Sequence, residues 1–122
     1  MQAFRRRIEI RSRSTTTGGE VRAALEDDFH HFRVTVHHKD GIVSAVDGAS
    51  PRHPFTACPA AAGQLQALLG MALTTVASSV TRHVDASEQC THLLDLAGLA
   101  IATAAVGLAR RCYEIDVPRE NG

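Results

Sequence analysis

Three cysteines and seven histidines hold most of the chemistry that this sequence could perform. Cys58 stands before Pro59, and Cys90 stands before Thr91. Proline suits the first helical position and threonine suits an N-cap, so both cysteines are expected at helix starts. The free N–H groups and positive dipole end there favour the thiolate, which is both the nucleophilic and the metal-binding form of cysteine. His92 follows Cys90 by two positions, and Asp95 lies one helical turn beyond it, where side chains share a face. A carboxylate at that spacing can hold one ring nitrogen and leave the other free for a metal or a proton. Cys90, His92 and Asp95 are therefore also the candidate catalytic group.

The remaining histidines gather around one expected strand. Period two puts His30 on the apolar face of Phe32 and Val34, while His31 and His37 go with Arg33 toward solvent. His37 and His38 flank the Lys39-Asp40-Gly41 turn and are expected to be solvated. His53 lies in a proline-containing loop close to Cys58. Asp27 and Asp28 stand beside His30 as candidate general acid or base groups. Each residue has a plainer reading. Cysteines commonly fill space in cores, a histidine on an apolar face is more often a hydrogen-bonded core residue, and Asp95 can simply complement the helix dipole.

The elements that would position these groups can be read from pattern. Charged residues interleave with Ile8 and Ile10 from Phe4 to Arg13, as in a half-exposed strand, and the arginines suit a sheet edge. Ser14 to Glu20 reads as a turn or loop, and Val21 to Leu25 as the next strand. Phe32, Val34 and Val36 alternate with polar residues, and the Asp40-Gly41 turn hands that strand to Ile42–Val46 as a hairpin. A loop is expected from Ala49 to Pro54, then a helix from Pro59 to Leu69 with Gly70 as its stop, and a second helix over Met71–Val80. The long helix is expected from Thr91 to about Arg110, with Arg110 and Arg111 at the negative end of its dipole. Tyr113, Ile115 and Val117 alternate once more.

The chain is thus read as a single α+β domain over residues 1–122, a small antiparallel sheet packed against two or three helices with the long C-terminal one central. Its 122 residues suit one core, and 44% apolar against 21% charged residues is an ordinary globular balance. Thirteen basic residues against thirteen acidic ones leave no broad field to attract nucleic acid or anionic membrane. Three cysteines without dense, even spacing argue for reduced thiols, and no apolar run follows the basic N-terminus, so a cytoplasmic location is expected. Leu93–Ala109 is too short and too rich in alanine for a membrane span, and it carries Asp95. Glycine-rich phosphate loops, HExxH, GxSxG and CxxC patterns are all absent.

Three strings carry a family resemblance: DDFHHFRVTVHHKDG, RHPFTACPAA and CTHLLDLAGLA. Together they resemble the bacterial domain of unknown function 2889 family, with its histidine-bearing strand, Arg-x-Pro-x-x-x-Cys-Pro loop and Cys-Thr-His-Leu helix start. The similarity runs from about Ala24 to Val117. It emphasises His30, Arg52, Pro54, Cys58, Pro59, Cys90, Thr91, His92 and Asp95, and it implies no activity. Phe55 stands where a tryptophan is expected, and the chain stops after VPRENG where similar sequences run on, which reads as a shortened member.

Three functions are open to these residues. The first is a Zn or Fe site built from Cys58, Cys90, His92 and His30, with an open position if only three of them bind, as in a small metalloenzyme. The second is a non-catalytic module that forms a homo-oligomer through the small-residue helix. The third is a metal-free thiol site in which Cys90 acts with His92, or pairs reversibly with Cys58.

Overall fold

The architecture was taken from a computed structural model, which describes residues 4–27, 31–52, 62–83 and 91–117. Five strands, β1 (Phe4–Ser14), β2 (Gly18–Glu26), β3 (His31–Lys39), β4 (Ile42–Arg52) and β5 (Arg110–Val117), form one sheet in the order β4-β3-β2-β1-β5. Every neighbouring pair is antiparallel. Period two then sorts the side chains. Ile8, Ile10, Val21, Ala23, Leu25, Phe32, Val34 and Val36 are buried on one face. Arg7, Arg11, Arg22 and Arg33 stand exposed on the other. The Asp40-Gly41 turn joins β3 to β4 with φ of 52° and 78°, the left-handed pair that a two-residue hairpin requires.

The expected edge position of β1 is wrong, because β1 lies between β2 and β5. Its outward arginines are instead balanced along the strand itself, as Arg7 and Arg11 both bond Glu9. The expected loop after Gly48 is also corrected, since β4 continues to Arg52. Proline at position 51 is tolerated there because β4 is an edge strand.

Helix content is lower than expected, with one long helix rather than two or three. Residues 59–61 lie outside the described residues, and the next segment, Ala62–Leu68, is a 3-10 helix that buries Leu65 and Leu68. Met71–Val76 is not helical. The Val43 N–H donates to Met71 O at 2.8 Å, and the Leu73 N–H donates to Gly41 O at 2.8 Å, so this stretch is drawn alongside the start of β4. A short 3-10 turn at Ala77–Ser79 leads into α1 (Val80–His83), a single α-turn. The β-branched and hydroxyl residues of the stretch disfavour helix and suit this extended docking.

The long helix, α2 (Thr91–Val106), packs on β1, β2 and β3. Leu93, Leu94, Leu96, Ala97, Ala100, Ile101, Ala102 and Thr103 are buried. It ends at Val106 rather than near Arg110, because Gly107 takes φ of 82°. The Gly107 N–H donates to Ala104 O and the Leu108 N–H to Thr103 O, which satisfies the last carbonyls in a Schellman turn. Arg110 and Arg111 thereby belong to β5 and do not cap the helix. Among the described residues no helix is long and apolar enough to cross a membrane.

The outer side of α2 is covered by the segment around α1. A Cβ at Gly98 would lie 2.3 Å from Ala77 O and 3.2 Å from Val80 Cγ2. The missing side chain is what lets that backbone approach. Gly98→Ala should therefore destabilise the protein by about 1–3 kcal/mol through overpacking, although alanine gains about 1 kcal/mol in helix propensity. Urea denaturation measures the balance, and an increase in stability would show that the segment yields freely.

Candidate functional site

Sheet register brings several chain segments to one end of the molecule. Glu26 pairs with Arg7 and His31, and His31 in turn pairs with Arg52. The chain between β2 and β3, and the chain that leaves β4, therefore start side by side. At this end Asp27 has a fully buried side chain, and Arg6 Nε and Nη2 each donate to its Oδ2 at 3.0 Å. The pair flanks a cleft of about 650 Å³, lined by Arg5, Arg6, Asp27 and Glu114 among others. Asp27 is thus committed to Arg6, and its carboxylate anchors the end of β2 instead of standing free as an acid or base. Sequence reasoning missed this pair, although Arg6 shares the inward parity of Ile8 and Ile10.

The expected ligands His30, Cys58 and Cys90 lie outside the described residues, as do Asp28, His53, Pro54 and Pro59. His92 is described by its backbone alone, as the second residue of α2. Asp95 is exposed one turn later on the same helix. Among the described residues no three His, Cys, Asp or Glu side chains are grouped to hold a metal ion.

The outward face of the sheet carries a separate charged cluster. Glu9 accepts from Arg11 Nε at 2.7 Å and from Arg7 Nη2 at 3.1 Å, with Arg110 Nε at 3.8 Å. The Arg11 hydrogen bond, helped by the charges of Arg11, Arg110 and Arg7, holds the Glu9 carboxyl below its usual range against the opposing effect of burial. Register sets Cys112 opposite Glu9 in this face, and Cys112 is an exposed free thiol. His31 Nδ1 lies 3.7 Å from Glu26 Oε2, and His37 Nδ1 lies 4.0 Å from Glu20 Oε2, so both sit on the outward side as their alternation with Phe32 and Val36 requires.

His38 departs from expectation. It is half-buried, and its Nε2 is shut off from solvent without a hydrogen-bond partner among the described residues. Period two carried one step past Val36 gives this inward position, whereas nearness to the turn suggested solvent. His38 faces Gly19 on β2, where a Cβ would stand 3.1 Å from its Nε2. Burial, then the charge of His37, pushes its pKa down.

The family model described as "Protein of unknown function (DUF2889)" matches residues 10–106, and the chain belongs to that family. No curated protein matches the chain. Nor does any solved structure. The match covers β2 to α2 and stops before β5.

The depressed His38 pKa fixes a sign for the pH dependence of folding. The unfolded chain takes up its proton near pH 6.5, before the folded chain does, so His38 makes stability fall as pH drops below that value toward the folded pKa. His38→Leu should shrink the difference in urea midpoint between about pH 7.5 and about pH 5. An unchanged difference would show that His38 protonates without cost.

Proposed function

We propose that the chain binds one transition metal ion, Zn or Fe, through Cys58, Cys90, His92 and His30. The observation that supports this reading is the register of β2, β3 and β4. His30 immediately precedes His31, Cys58 follows Arg52 by six residues, and His31 and Arg52 are paired neighbours. The two segments thus have short distances to close. The third segment brings Cys90 directly before α2. With 16 residues, α2 is about 24 Å long, and its C-terminal end feeds β5 at Arg110, at the opposite end of the sheet. The helix has the length to reach back toward Arg52 and His31.

The chemistry of the set suits the proposal. Two thiolates and two imidazoles match the borderline-soft preference of Zn and are compatible with Fe. Asp95, three positions beyond His92 and exposed on the same helix, would orient that imidazole. If His30 does not bind, the open position would take water or a substrate, and the site becomes that of a small metalloenzyme. The protein would work in the cytoplasm, where its thiols stay reduced, without a nucleic-acid partner.

Elemental analysis of protein purified without a histidine tag or added metal tests this reading. About one Zn or Fe per chain is expected. Cys58→Ser, Cys90→Ser and His92→Ala should each reduce the content, whereas Cys112→Ser should leave it unchanged. Folded protein that holds no metal and takes up none on titration with zinc would defeat the proposal. Rapid alkylation of Cys58 or Cys90 by iodoacetamide near neutral pH in that metal-free protein would then favour the thiol reading.

A further inference from the structure

The two edges of the sheet are treated differently. On the β4 edge, the Gly70 N–H donates to Val43 O at 2.9 Å and the Val43 N–H to Met71 O at 2.8 Å, and Ile42 bridges Ala72. That edge also carries Pro51, which cannot donate to a further strand. The β5 edge has no such cover among the described residues. Its eight residues, Arg110–Val117, include no proline and, among the described residues, pair with β1 alone. Ile115, on the inward face, is 43% exposed. An edge of this length is a template for another strand unless something blocks it.

The charge sequence of β5 says which strand would fit. Arg110 and Arg111 open the strand, and Glu114 and Asp116 close it. An antiparallel second copy reverses that order, so positive residues meet negative ones. In a two-fold arrangement with both faces preserved, opposed residues have the same parity. Centred on Tyr113, the axis sets Arg110 opposite Asp116 and Cys112 opposite Glu114 on the outward face. On the inward face it sets Tyr113 opposite its own copy and Arg111 opposite Ile115, whose exposed apolar surface the arginine stem can cover. Moving the axis to Glu114 would oppose two glutamates. Moving it to Cys112 would leave Asp116 beyond the paired strand.

We propose that the protein forms a two-fold dimer through its β5 edges, antiparallel and centred on Tyr113, which joins the two sheets into one of ten strands. The interface is isologous, so each favourable charge pair occurs twice. The present partners of these charges do not compete strongly: Asp116 is 3.5 Å from Arg5 in an exposed pair, and exposed Arg110 is 3.8 Å from half-buried Glu9, which already bonds Arg7 and Arg11. This dimer does not rest on the metal site.

Sedimentation of the full chain, with charge reversal, tests it. The native chain should be dimeric at micromolar concentration. Arg110→Asp and Asp116→Arg should each weaken the dimer about tenfold, since two attractive cross-strand pairs become repulsive. The double variant Arg110→Asp/Asp116→Arg should recover the native affinity. Both substituted positions are exposed, and circular dichroism of all three variants should show native folding. A monomer throughout the concentration range, or a double variant no better than the singles, would overturn the proposal. Register is read separately by oxidising Glu114→Cys and mapping the products by mass spectrometry. A link between residues 112 and 114 of different chains is expected, whereas a native-chain link between two Cys112 residues would overturn the Tyr113 axis.

Discussion

A helix that is apolar on nearly every side cannot rest on a sheet with its other side in water, and this constraint organises the molecule. In α2, Leu93, Leu94, Leu96, Ala97, Ala100 and Ile101 are all buried, while Leu99 is partly buried. The sheet covers one side through Val21, Val34 and their neighbours. The segment from Ala77 through α1 covers another by coming close to Gly98. Burial of each large aliphatic side chain contributes about 1.5–3 kcal/mol, so the helix and its two coverings stand or fall together. Among the described residues of α2 the exposed large apolar side chain is Val106, at its C-terminal end, and those elsewhere are Ile42, Leu69, Val76, Leu108 and Ile115.

The same constraint separates the two faces and two ends of the sheet. One face is given to the helix, so the outward face can carry arginines and glutamates in register, with Glu9 at the meeting point of Arg7, Arg11 and Arg110. One end is closed by the tight hairpin at Asp40-Gly41 and the docking of residues 70–73 beside β4. The other end is where chain segments enter and leave, anchored by half-buried Arg6 on the buried carboxylate of Asp27. A buried carboxylate without its arginine would be costly. The pair therefore fixes the path of the chain just before the segment that bears His30.

The strands were readable because period two survives in short windows. Ile8 and Ile10, Val21 and Leu25, and Phe32, Val34 and Val36 all face the core as their spacing requires, and the Asp-Gly pair marks its hairpin. Strand order was not readable, since the arginines of β1 look the same at an edge and in the middle of a sheet. The helical segments misled for a different reason. Apolar residues near Leu65 and Met71 fit helix and non-helix alike, and tertiary hydrogen bonds to Gly41 and Val43 decided the second. Gly107 was the overlooked stop signal in α2, and its positive φ sends Arg110 into β5. For the site, the sequence supplied Cys58, Cys90, His92 and His30 as candidates, but no local pattern shows that β3 and β4 set His31 and Arg52 side by side. That juxtaposition depends on register, which is decided between strands.

If residues from three separate segments meet around one ion, the ion's own coordination shell must report it. X-ray absorption at the zinc edge, on protein loaded with one equivalent of zinc, measures that shell directly. Two sulfur atoms at about 2.3 Å with nitrogen at about 2.0–2.1 Å are expected. A shell of nitrogen and oxygen alone, without sulfur, would contradict a shared site, because it would mean that Cys58 and Cys90 do not hold the ion together.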